Sequence, residues 1–444
     1  MRRKELKRSA GHGRFYGLLT LLLLLILTRY SLQIGIPRPV FLGIIFLIAV
    51  LGDRDEIIAM CMCCIPLHES IDFFYSVVIC VSIYLLKYYK RIRINFTIAP
   101  VLFMVIWELL HCFEGELSII GLLSGIVPLL VLAVFMSSDV SDVDYDFVTR
   151  AFAFAAAMVC LSLLVRVLYA ADFNVASAFA GLQRLGMDTE ESKQSMTVSG
   201  GEINPNTLGI ICVLATTALM QLRTVGRGKK KDLVLSIILL VFGALTASRT
   251  YLACLALMLV LLLFAQKGSF AQKIRFLVGI LLVLILALLV LGLVFPELMQ
   301  HFYSRFLERD LTTGRLGLMS VYHDFIVSNP RVLGFGIGLQ DFGIKMTEVY
   351  RVARNVPHNA IQELVIAWGL PGLVAFCALM ILMIWRSRHF CRRQSLLHYI
   401  PILIILFKAQ AGQMLNSAYT MLAFSYAYLS MTQRFVPVER QKAG

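Results

Sequence analysis

Residues 229–267 read KKKDLVLSIILLVFGALTASRTYLACLALMLVLLLFAQK, and this stretch decides the fold. Taken as one helix, its apolar part would exceed about thirty residues, when about twenty cross a bilayer. It is also flanked at both ends by lysine, the mark of cytoplasmic connections. The chain must therefore turn back near Ser248-Arg249-Thr250, giving two spans, 232–247 and 250–266. Arg249 then sits at the outer rim, against the rule that keeps Lys and Arg inside, and a charge at that depth is costly unless paired or hydrated. The plain alternative is an arginine that snorkels to lipid headgroups.

The rest of the chain extends the pattern. Of its 444 residues 59% are hydrophobic and 15% charged, with a mean hydropathy of +0.80, more apolar surface than a soluble domain can hide. The net charge of +14 falls mostly in short connections between apolar runs, which makes it a topological signal and excludes a nucleic-acid reading. Met1-Arg2-Arg3-Lys4 precedes an apolar run that ends at Thr28-Arg29-Tyr30-Ser31 without a small-residue cleavage site, so the first helix is expected to stay.

Apolar segments run over 15–34, 40–52, 55–67, 71–87, 96–112, 117–136, 148–170, 206–222, 232–247, 250–266, 275–295, 360–386, 397–410 and 416–432. By length these make about fourteen spans, or about twelve if the short second, third and thirteenth are re-entrant. The fold class is all-α, a polytopic membrane protein. The basic connections 87–93, 223–231, 267–275 and 386–393 should be cytoplasmic together with both termini. Strict alternation then places 171–205, 248–249 and 296–359 on the outer face.

The 296–359 segment is the one long non-apolar stretch and reads as an outer loop. Apart from Lys345, its Lys and Arg residues are all arginine: Arg305, Arg309, Arg315, Arg331, Arg351 and Arg354. A guanidinium presents a planar fork that grips phosphate oxygens two at a time. The bland reading pairs these arginines with Glu297, Glu308, Asp310, Asp324, Asp341 and Glu348 on the protein's own surface. Thr312 or Thr313 can cap a helix running to about Val327 with an apolar stripe of Met319, Tyr322 and Ile326, stopped by Asn329-Pro330. Arg315 lies in its first turn. The expected organisation is 1–205, N-terminal helices and an outer loop; 206–295, helices around Arg249; 296–359, the large loop; and 360–444, C-terminal helices and tail.

Other polar features carry less. The ten cysteines lie almost wholly in apolar runs, and Cys61-Met62-Cys63-Cys64 with His68 matches no zinc spacing, so packing is the reading. Asp139, Asp142, Asp144 and Asp146 contain an Asp-x-Asp spacing without a βα domain to carry a nucleotide, and read as solvated helix ends. Asn204-Pro205-Asn206 reads as a capped helix start. Trp107, Glu108, His111, Arg166, Lys408, Gln410, Gln413 and Asn416 interrupt apolar runs, several of them near span ends, and none stands out alone.

There is no His-Glu-x-x-His, Gly-x-Ser-x-Gly, P-loop or dinucleotide fingerprint, so protease, hydrolase and ATPase readings lack their parts. Rim arginines suit a lipid-linked phosphate or diphosphate. A neutral His358 beside them can take a proton from an attacking hydroxyl.

From about 200 to 435 the chain resembles the O-antigen ligase and polymerase superfamily of bacterial surface-polysaccharide assembly. The resemblance rests on Ala247-Ser248-Arg249-Thr250, Thr313-Gly314-Arg315, Leu333-Gly334-Phe335-Gly336-Ile337-Gly338, and Pro357-His358-Asn359 leading into Glu363 and Trp368-Gly369-Leu370, with a weaker echo at Asn204-Pro205-Asn206. It implies an inner-membrane glycosyltransferase without metal or other cofactor, acting on a glycan carried by undecaprenyl diphosphate. Arg249 and Arg315 would bind the diphosphate, Arg315 also acting in catalysis, and His358 would be the base. Arg351 and Arg354 join the substrate-binding set by proximity alone. The expected function is polymerisation of lipid-linked repeat units in O-antigen, capsule or exopolysaccharide synthesis, with inversion and an outward-facing site. The expected partners are the lipid-linked glycan, membrane lipid and other polysaccharide-assembly membrane proteins, not nucleic acid. A ligase passing glycan to a lipid or protein is the nearest rival. A flippase or exporter without chemistry is the rival from another class, although transporters usually bind near the midplane on broken helices.

Overall fold

The computed structural model describes residues 12–112, 119–182, 184–187, 201–266, 269–307, 315–339, 342–352, 357–391, 394–410, 412, 414–415 and 418–433. Among these residues there is no strand, only an isolated bridge between Ile92 and Ser138, and the fold is all-α. Every apolar segment read from the sequence contains a helix among its described residues. Gly13–Tyr30, Phe73–Arg91, Tyr145–Ala170, Pro205–Thr224 and Ala360–Phe390 are long and apolar enough to cross a membrane, and shorter apolar helices include Arg38–Leu51, Arg249–Ala265 and Leu396–Ala409. The chain is a multi-pass membrane protein.

The turn expected near Ser248 is present. One helix covers Lys230–Leu245 and the next Arg249–Ala265. Ala247 adopts a positive φ of 45°, and Ser248 caps the second helix by accepting the Tyr251 N–H at 3.2 Å. Tyr251 folds back on the first helix and donates its hydroxyl proton to the Leu240 carbonyl at 2.8 Å. Gly243 makes this possible, since a Cβ there would lie 2.2 Å from the Tyr251 ring.

The chain forms two compact units, one drawn from residues 1–87 and 143–308 and the other from 88–142 and 309–434. In the first unit, one face gathers the starts of helices 13–30, 54–67, 145–170 and 230–245. There His12 bonds Glu56 at 3.3 Å, Arg150 holds Asp232 at 3.1 Å, and Lys87 donates to the carbonyls of Ala49, Val50 and Gly52. At the opposite ends the Ser31 hydroxyl donates to the Ser162 carbonyl at 2.6 Å, and Phe179 stacks on Phe295 at 4.3 Å. Helix ends that strict alternation assigns to one face therefore do meet on one face within this unit. The second unit repeats the pattern. Arg91 pairs with Asp142 at 3.1 Å and Arg386 donates to the Met136 carbonyl at 3.3 Å, while the other ends meet through Asn359 and Gln410 at 3.3 Å.

Three readings change. The Arg54–Leu67 helix has only 14 residues and is buried at every position, so it is a core element of the first unit, and its length of about 21 Å falls short of the bilayer core. Its Cys61, Cys63 and Cys64 pack in that interior. The acidic link is also not simply solvated: Asp144 caps helix 145–170 by accepting the Phe147 N–H, Asp146 pairs with Arg227 at 3.3 Å, and Asp142 pairs with Arg91. Finally, the described residues of the 296–359 segment are mostly helical. The segment holds Pro296–Leu307, Arg315–Ser328, Pro330–Gly334 and a helical turn over Phe342–Val349. The expected helix ending near Val327 is Arg315–Ser328, with Tyr322, Phe325 and Ile326 buried. Thr312 and Thr313 lie outside the described residues.

Candidate functional site

In the first unit, Arg249 is the first residue of helix 249–265 and is half-buried. The corner that presents it is tied by the start of another helix. Asn204 caps helix 205–224 with Pro205 at its first position, as expected. Asn206 Oδ1 accepts from the Ser248 hydroxyl at 2.7 Å and from Arg184 Nη2 at 3.1 Å. Arg184 Nε donates to the Thr246 carbonyl at 3.0 Å, and Leu185 N donates to the Leu245 carbonyl at 2.9 Å. The 184–187 segment thus straps the Leu245–Thr246 side of the turn directly and reaches Ser248 through Asn206. Arg184 escaped the sequence reading, although the rule that singled out Arg249, a cation on the face where cations are rare, applies to it equally.

The other expected residues lie in the second unit. Arg315 heads the Arg315–Ser328 helix. Arg351 is exposed and has a positive φ of 53°, just after the helical turn that Val352 closes by donating to the Met346 carbonyl at 2.9 Å. Arg354 lies outside the described residues. His358 is half-buried between buried Pro357 and Asn359. Asn359 caps the following helix, its Oδ1 accepting from Ile361 N at 3.0 Å and Gln362 N at 3.2 Å. Glu363, fully buried, accepts from Met414 N at 2.6 Å, so Met414 is tied to the same helix start. Gln362 Nε2 donates to the Met319 carbonyl at 2.7 Å. That bond joins a point one turn into the helix headed by Arg315 to a point one turn beyond His358.

Behind this helix start, the Gly-rich turn and the Trp368-Gly369-Leu370 motif lock together. Gly369 leaves the helical path with φ 67° and ψ −172°, and Pro371 has no N–H to offer the Ala367 carbonyl. The freed acceptors are used: Ile337 N donates to the Ile366 carbonyl at 2.9 Å and Gly338 N to the Ala367 carbonyl at 2.8 Å. The approach is too close for side chains. A Cβ on Gly336 would lie 2.4 Å from the Ala367 oxygen, and one on Gly369 would lie 2.8 Å from the Gly334 backbone.

The polar residues of helix 99–112 clamp the same turn. Glu108 is 1% exposed; it accepts from Leu339 N at 2.8 Å through Oε1 and from Trp368 Nε1 at 2.7 Å through Oε2. The Phe335 carbonyl accepts from Trp107 Nε1 at 3.0 Å and from His111 Nε2 at 3.1 Å, which fixes the proton of His111 on that nitrogen. Lys345 Nζ donates to the Ile337 carbonyl at 2.7 Å. Trp107, Glu108 and His111 were visible as polar residues in an apolar run. Their shared partner was not. Among the described residues no group of three or more His, Cys, Asp or Glu side chains gathers as metal ligands would.

Residues 234–377 match a protein family described as O-antigen ligase. The matched stretch holds Arg249, Arg315, Arg351, Arg354 and His358 together with the Gly-rich turn and the Gly369 break. No curated protein matches the chain.

Proposed function

We propose that the chain, whose residues 234–377 match the O-antigen ligase family, acts in bacterial polysaccharide assembly at the inner membrane and polymerises oligosaccharide repeat units carried on undecaprenyl diphosphate, as a glycosyltransferase that needs no metal. The acceptor hydroxyl oxygen attacks the anomeric carbon of the donor sugar. The bond from that carbon to the diphosphate oxygen breaks, undecaprenyl diphosphate leaves with the electron pair, and the configuration inverts. His358 takes the hydroxyl proton. Arg249 and Arg315 hold the diphosphate and its developing charge, with Arg351 and Arg354 as further cations near the donor. The observation that carries this reading is the Gln362–Met319 bond, which draws the helix headed by Arg315 and the helix preceded by His358 together within the family-matched region.

The family description itself favours a second reading, transfer of finished glycan to a lipid or protein acceptor. A polymerase joins two substrates of one kind, both lipid-linked glycans, and one amphipathic groove at the bilayer surface serves both. Deleting the gene separates the two. Loss of a polymerase leaves single repeat units on their normal acceptor, whereas loss of a ligase strands long polymer on undecaprenyl diphosphate, and stranded long chains would end the polymerase reading.

A further inference from the structure

A cavity of about 530 Å³ opens in the first unit between the helices Gly13–Tyr30, Tyr145–Ala170 and Lys230–Leu245. All three helices start at the same face, the one that carries the basic connection 223–231, as the stacking of His12 on Phe147 at 3.8 Å and the Arg150–Asp232 pair require. Four residues of helix rise about 6 Å, so residues at that spacing mark successive depths. Nearest that face the lining is polar: Tyr16, Arg150, Lys231 and Asp232. One to two turns deeper it becomes mainly apolar, with Phe154 below Arg150, Leu235 and Ile238 below Lys231, and the Thr20 hydroxyl below Tyr16 as the polar exception.

The charge of the polar level is not balanced. Arg150 Nε donates to Asp232 Oδ1 at 3.1 Å and Arg150 Nη2 to Oδ2 at 3.1 Å, so these two neutralise one another, and Asp232 also accepts from Lys229 N at 2.8 Å. Lys231 is exposed and leaves the level with a net positive charge. Val234 and Ile238 are 56% and 41% exposed, which opens the apolar level sideways onto the lipid-facing surface. A cation at the surface above an apolar slot matches an amphiphile with an anionic head, and basic pockets between membrane helices on the cytoplasmic side suit such lipids.

We propose that this cavity binds an anionic phospholipid of the bilayer, with its phosphate at Lys231 and an acyl chain against Phe154, Leu235 and Ile238. The site is separate from the chemistry proposed above and stands whether or not that reading holds. It is tested on the full-length protein in detergent with phosphatidylglycerol and phosphatidylcholine of identical chains, reading retained lipid by native mass spectrometry and the melting temperature. Phosphatidylglycerol should be retained in preference and raise the melting temperature. Lys231→Gln, a change at an exposed position, should weaken phosphatidylglycerol binding about fivefold and leave phosphatidylcholine unchanged. Leu235→Trp, checked for its lipid-free melting temperature, should lower retention of both. Equal retention of the two lipids by the native protein, or unchanged phosphatidylglycerol binding by Lys231→Gln, overturns the proposal. Inorganic phosphate alone reproducing the stabilisation would mark a bare anion site and overturn it too.

Discussion

The Trp368 indole N–H donates to Glu108 Oε2 at 2.7 Å, and the same carboxylate holds the backbone N–H of Leu339. Helix 99–112, the Gly-rich turn and the helix that follows His358 therefore meet on one buried acid. Removing it by Glu108→Ala leaves two buried donors without an acceptor, each costing about 1–3 kcal/mol. We expect a lower melting temperature and, on the proposed function, loss of polymer. Glu108→Gln keeps one acceptor oxygen and should retain part of both. Normal stability with full polymer in Glu108→Ala would show that the clamp is not needed.

Glycine substitutions in the same region should divide sharply. Gly369 has φ 67° and ψ −172°, a conformation open essentially to glycine alone, and an added Cβ would press on the Gly334 backbone. Gly369→Ala and Gly336→Ala should each cost about 1–3 kcal/mol from strain, beyond any clash. Gly334→Ala meets nothing within 4 Å and should be tolerated. Thermal melts of the three purified variants decide this, and equal melting temperatures would contradict the close packing.

What the sequence makes legible follows from how local each signal is. Hydropathy and flanking charge are local, so the helices and the break at 246–248 could be read directly, the start of the helix after Asn204 follows from its cap, and the end of the Arg315–Ser328 helix follows from Asn329-Pro330. The Glu108 clamp joins residues 231 and 260 positions apart, and an acid in an apolar run looks the same in sequence whether it snorkels or is buried. The Gly-rich turn was visible as a turn, while the carbonyls it satisfies depend on a kink far along the chain. Pro296 and Glu297 do carry the marks of a helix start, a proline at the first position and an acid in the first turn, but a polar segment between apolar runs reads first as a loop.

His12 gives a prediction on pH. Its hydrogen bond to Glu56 raises its pKa above the ordinary value of 6.5. The folded protein thus binds this proton more tightly than the unfolded chain. The stabilisation is complete below 6.5 and is lost as pH rises through the higher folded value. His12→Phe preserves stacking on Phe147 but not the pair. The melting-temperature gap between native protein and variant should be widest near pH 5.5 and narrow towards alkaline pH, and a gap that widened with pH would reverse the assignment.

Orientation is open to direct labelling. Cysteines placed at 249, 315 and 358, in a background cleared of exposed thiols, should react with an impermeant maleimide on intact spheroplasts if the basic connections are cytoplasmic, as the positive-inside rule expects. Labelling only after lysis would reverse the topology.

The proposed roles of Arg249, Arg315 and His358 separate by the kind of substitution each tolerates. A bidentate grip on diphosphate needs the guanidinium fork, so Arg249→Lys and Arg315→Lys should lose most activity with charge retained, each lost charged hydrogen bond weakening donor or transition-state binding by roughly 1.5–3 kcal/mol. His358→Ala removes a base and should cut turnover by about a hundredfold or more, with donor binding preserved. Asn359 caps the next helix through its own side chain, so the His358 change should leave the melting temperature in place. A chelator should leave the native enzyme active. Purified variants assayed with lipid-linked repeat units, reading donor affinity and turnover separately, distinguish these effects. Normal polymer from both lysine variants would assign the arginines to topology alone. An unaffected His358→Ala would move the proton acceptor to His301 or His323, the other histidines of the 296–359 segment.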